Sequence, residues 1–129
     1  MKLILAAAAS AALLVSTSAF AAGDLAAELT TASTHAGLAA KAANIDGVHM
    51  HMHHAQNCLE GMGGADYDAG NANPCAKSGT GAIPDSADAA QKAKLQTAVG
   101  QLKAGLASTD MTAAAKDATD ASATIASAK

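Results

Sequence analysis

The sequence predicts an all-α protein, a small antiparallel bundle of three or four helices with a glycine-rich loop pinned by a disulfide. Three observations predict it. Alanine and leucine recur at three- and four-residue spacings over most of the chain, turn-forming residues concentrate between positions 61 and 85, and two cysteines, Cys58 and Cys75, tie that loop back. The one short stretch that alternates with period two has no second strand candidate to pair with, so no sheet is needed.

The first 21 residues read as a secretory signal. Lys2 supplies a short positive region, Leu3 to Val15 an apolar one, and Ala19-Phe20-Ala21 a small-x-small cleavage site. That apolar stretch is short for a bilayer span, and no cysteine follows the cleavage site to carry a lipid. The expected product is a single helical domain, residues 22–129, exported to the periplasm or the extracellular space.

Helical spacing begins at once. Asp24 is placed to cap a helix whose one face carries Leu25, Leu29, Ala32, Ala36, Ala39 and Ala43. At Asn44-Ile45-Asp46-Gly47 two readings stay open, because Asp-Gly is a turn dipeptide. A turn there makes the domain a four-helix bundle, whereas an uninterrupted first helix leaves three. The element then runs to Glu60 and stops at Gly61, Gly63 and Gly64.

The loop of residues 61–85 contains Gly70, Pro74, Gly79, Gly81 and Pro84 as well. Its Asp66-Tyr67-Asp68 run is not a calcium-binding EF-hand loop, since Asn71 stands where glycine is required and Lys77 where a bidentate glutamate is. After it, Asp85 or Ser86 is expected to cap a helix striped by Leu95, Val99, Leu102 and Leu106 and ending near Ala107. Thr109-Asp110 then caps a last helix with Met111, Ala114, Ala118, Ala121 and Ile125 on one side.

Composition bounds the function. Removal of residues 1–21 takes away Lys2 and leaves seven lysines, no arginine and eleven carboxylates. Without arginine, a basic patch or aromatic stacking platforms, nucleic-acid binding has no support. Tyr67 is the only aromatic of the expected product, so its core is built from small residues and gains from a disulfide, a metal or a partner chain. Cys58 and Cys75 in an exported chain favour the disulfide, with Cys58 as a thiolate ligand the competing reading.

The chemistry is concentrated in Val48-His49-Met50-His51-Met52-His53-His54, which holds four of the five histidines. Imidazole and thioether are ligands for borderline and soft transition metals. On a helix His49 and His53 share a face, joined by Asp46, at a common metal-ligand spacing. A second face carries Met50, His54 and Cys58, with His51 displaced from it, and is expected to be the buried side. As a strand the run would instead put His49, His51 and His53 together and Met50 and Met52 opposite. The helix-forming neighbours favour the helix. His35 joins the site only if the chain folds back at Asp46-Gly47, since a continuous helix carries it roughly 21 Å away.

The bland reading is that solvated histidines decorate a surface helix while Met50, Met52 and Met62 fill a poor core. It suits a lone histidine better than four within six positions. The expected function is therefore a small exported metal-binding protein, a buffer, carrier or sensor. Copper is favoured because thioether selects Cu(I) and imidazole accepts Cu(II), with zinc or nickel as alternatives. His49 and His53 are the first ligands expected, and His35, His51, His54, Asp46, Met50 and Met52 are candidates to complete the site.

Two other classes compete. Non-covalent haem binding in a bundle needs axial histidine or methionine, but the chain offers few large side chains to wall a porphyrin, and no Cys-x-x-Cys-His for covalent attachment. An alanine-rich structural or interaction protein of the cell envelope, with pH-responsive histidines and a second copy or an envelope protein as partner, needs no metal. No nucleophile motif, phosphate loop or dinucleotide fingerprint is present, so the expectation is a non-enzyme.

Overall fold

The computed structural model describes residues 23–129, and the expected secretory segment lies outside the described residues. Among these residues the chain forms five helices and no strand: α1 (Leu25–Ala39), α2 (Ile45–Glu60), α3 (Ala82–Asp85), α4 (Ala89–Ala107) and α5 (Met111–Ala126). Four are long, and α3 is a single turn. None is long and apolar enough to cross a membrane.

Each long helix starts at a side-chain cap that satisfies an orphan amide of the first turn. Asp24 accepts from Ala27 N at 3.0 Å, Asn44 from Gly47 N at 2.8 Å, Asp88 from Gln91 N at 2.7 Å and Asp110 from Ala113 N at 2.7 Å. Two of these caps correct the sequence reading. Asp85 is occupied by Thr80, whose N and Oγ1 both donate to it, so the start of α4 falls to Asp88. Asn44 begins α2 and draws Asp46 and Gly47 into its first turn, where a carboxylate faces the positive end of the helix dipole. The turn between α1 and α2 is therefore residues 40–44, and Asp46-Gly47 is neither a turn nor part of one long first helix.

The long helices alternate in direction. Short connections make α1–α2 and α4–α5 antiparallel hairpins, the second tied by Lys94 Nζ donating to Ser127 O and Gln91 Nε2 to Ala128 O. His49, near the start of α2, meets Ser108 at the end of α4, and Met52 lies on Gly105, so α2 and α4 are antiparallel too. Helix α1 packs on both α2 and α5, closing a four-membered bundle.

Small residues set the spacing of that bundle. Ala32, Ala36, Ala98, Ala114, Ala118 and Ala121 are fully buried, and Met52, Leu59, Leu95, Leu102 and Ile125 are the large core side chains. On α2 the core stripe is Val48, Met52, Ala55 and Leu59. Met50, expected on the buried side, is 43 % exposed instead. A residue two positions from Met52 points about 160° away from it, so seating Met52 over Gly105 turns Met50 outward.

The glycine-rich loop closes where two backbones cross at Gly61 (φ +64°) and Gly81 (φ +117°). A Cβ on Gly61 would stand 1.6 Å from Thr80 O, so no larger residue fits that crossing. Inside the loop, the buried Asn57 side chain donates to the carbonyls of Asp68, Asn71 and Ala72 and accepts from Asp68 N at 2.8 Å. The Cys58–Cys75 disulfide pins the middle of the loop to α2. At its end α3 interrupts the stretch expected to be loop to residue 85, with Ala82 buried in the core.

Candidate metal centre

The hairpin of α1 and α2 brings three histidines together. His51 and His54 lie three apart on α2, on the side that continues to Cys58, and His35 faces them from α1. His35 Nδ1 lies 3.2 Å from His51 Nδ1, and ring centroids are 5.0 Å apart for His35–His54, 5.5 Å for His35–His51 and 5.8 Å for His51–His54. One ring nitrogen from each lies within 4.8 Å of the others, and all three residues are half-buried.

These distances suit a metal ion. Two nitrogens bound at 2.0–2.1 Å to a tetrahedral centre stand about 3.3 Å apart. The 3.2 Å separation of His35 and His51 matches that edge, and a nitrogen of His54 lies within 4.8 Å of a nitrogen of each. Burial, followed by the charges of His54 and His51, holds His35 below the ordinary imidazole range. Burial, then His51 and His53, lowers His54 in the same direction. Both rings therefore favour the neutral form, which offers a lone pair to a metal. His54 Nδ1 is in addition buried without a hydrogen-bond partner, a state that costs about 1–3 kcal/mol unless some ligand meets it.

The remaining candidates from the sequence lie elsewhere. His49 Nε2 is 3.0 Å from Ser108 O and donates to that carbonyl, which ties α2 to the α4–α5 turn. His53 Nδ1 lies 3.0 Å from Asp68 Oδ2, close enough for an ion pair though off the line of a hydrogen bond. The i, i+4 pair thus meets two different partners. Asp46 is exposed in the first turn of α2, Met50 is exposed, and Met52 is enclosed in the core. Both cysteines are in the disulfide, so neither is a thiolate ligand.

Sequence reasoning passed over Glu28, which is fully buried on α1. Its Oε1 accepts from Gly81 N at 2.9 Å while Oε2 has no hydrogen-bond partner. Burial pushes its carboxyl up to about 7, with the neighbouring Asp85 adding to the rise and the Gly81 N–H opposing it. The signal was its position, three residues after Leu25 and four before Ala32, on the apolar stripe itself. A cavity of about 560 Å³ lies beyond, lined by Met62, Thr80, Ile83 and Pro84 among others, and no histidine reaches its wall.

Comparison with protein-family models, with curated proteins and with solved structures finds no match to this chain.

Proposed function

We propose that the protein binds a transition-metal ion through His35, His51 and His54, and serves outside the cytoplasm as a metal buffer, carrier or sensor. The observation that carries this reading is the convergence of three half-buried imidazoles from two helices, each with a nitrogen within 4.8 Å of the others. The Cys58–Cys75 disulfide supports export, since such bonds persist in oxidising compartments. All three ligands are nitrogen, a set that accepts Cu(II), Zn(II) and Ni(II), and Cu(II) heads the affinity order for such a site. With Met52 in the core and Met50 turned largely to solvent, copper is favoured through its divalent state instead of through thioether selection of Cu(I).

Calorimetric titration of the protein with Cu(II) and with Zn(II) tests the assignment. His35→Ala and His51→Ala should each weaken binding by more than the about 10–100-fold that loss of an outer-sphere partner costs. His49→Ala and His53→Ala should bind as the parent does. Equal affinity in all five proteins, or loss confined to the His49 and His53 variants, refutes the site. A competing reading rests on the 3.2 Å contact itself, in which one neutral ring donates to the other and the cluster is a packing element of a structural protein. Under it the parent and the His35 variant bind metal equally weakly.

A further inference from the structure

We infer that the ion held by His35, His51 and His54 keeps one coordination position open, and that the site takes a small anion there from outside the chain. This rests on the metal reading above and adds to it what the ion can do once bound. A tetrahedral ion needs four donors, and a site with three protein ligands leaves the fourth to water or an exogenous base.

No fourth histidine, cysteine or carboxylate joins the group among the described residues. The other side chains of that chemistry on α2 are engaged elsewhere: His49 with the Ser108 carbonyl, His53 with Asp68, and Cys58 in the disulfide with Cys75. Met52 Sδ is buried over Gly105, on the side of α2 that faces α4, whereas His51 and His54 face α1. Met50 is the one soft donor on α2 left uncommitted, and it is turned to solvent. The three histidines themselves are only half-buried, so the group sits at the edge of the bundle, where solvent meets part of each ring. A structural metal site is closed by four protein ligands, and this group is built as the open kind, with a bound water that an anion can displace.

Cobalt(II) is the probe, because its visible absorption reports coordination number and ligand identity. The parent protein loaded with Co(II) should show a band set absent from His51→Ala, and azide or thiocyanate should shift those bands saturably. His49→Ala and His53→Ala should respond in the same way. A cobalt spectrum that depends on His51 but ignores both anions overturns the open position while leaving the metal site standing. An anion response that appears only after Met50→Ala shows the thioether closing the sphere, and also overturns it. A parent spectrum identical to that of His51→Ala removes the metal reading and this inference together.

Discussion

Glu28 is where the fold itself should respond to pH. Its carboxyl is fully enclosed, held by the Gly81 amide and set against the Asp85 carboxylate across the Cα of Gly79. The folded-state pKa of about 7 stands above the ordinary 4.5, so between those values the native protein keeps a proton that the unfolded chain releases. Stability from this group is complete below pH 4.5, falls as pH rises through the window and levels off above pH 7. The gap corresponds to about 3 kcal/mol at 1.36 kcal/mol per unit, or roughly 12 °C in Tm for a domain of this size. Glu28→Gln has no proton to lose. Its amide oxygen still accepts from Gly81 N and its NH2 donates to Asp85, so the variant should outlast the parent at pH 8 by about 3 kcal/mol, and the two should converge near pH 4.5. Urea unfolding followed by circular dichroism at pH 4.5, 6, 7 and 8 measures the difference, in which titration of the histidines common to both proteins cancels. A parent-to-variant difference that stays constant across that range refutes the argument.

Two further substitutions separate the devices that hold the loop. Cys58→Ser with Cys75→Ser frees a 17-residue separation and should cost about 3 kcal/mol, mainly through the unfolded chain, so native-state hydrogen exchange within the loop should change less than global stability does. Asn57→Ala removes the side chain on which Asp68, Asn71 and Ala72 converge and should cost about 2–4 kcal/mol; here the Asp68 amide itself should lose protection, and an unchanged exchange rate there would show that the loop holds without Asn57.

The helices were legible because their signals are local. Asp24 and Asp110 cap where the pattern says they should, and Ala114, Ala118, Ala121 and Ile125 face inward as their spacing requires. The disulfide was legible from two cysteines in a chain that reads as exported. What the pattern did not resolve was competition between equivalent local signals. Asp85, Ser86 and Asp88 are all good caps, and the choice among them was made by Thr80, whose two bonds to Asp85 depend on the loop crossing at Gly61 and Gly81. No helical periodicity contains that crossing. Asn57 and Gln56 look like ordinary polar residues of a helix, yet both are buried because the loop folds over them.

The site depended on one such competition, between Asn44 and Asp46-Gly47. A hairpin centred on residue 43 sets His35 level with His51, and by the same symmetry Glu28 level with Cys58, where Cys75 Sγ lies 3.8 Å from Glu28 O. A hairpin centred on Asp46-Gly47 would have set His35 level with Cys58 and left His51 and His54 without a partner on α1. The i, i+4 pair of His49 and His53 is a good local chelate on an isolated helix, but it looks away from α1 and finds Ser108 and Asp68. Local spacing ranks pairs within one helix, whereas a three-ligand site takes its third member from another, so its composition follows the turn. Asn44 wins that turn because its side chain accepts from Gly47 N, and Gly47, the residue that looked most like a break, is thereby fixed inside the helix. A single capping hydrogen bond thus decides which histidines meet.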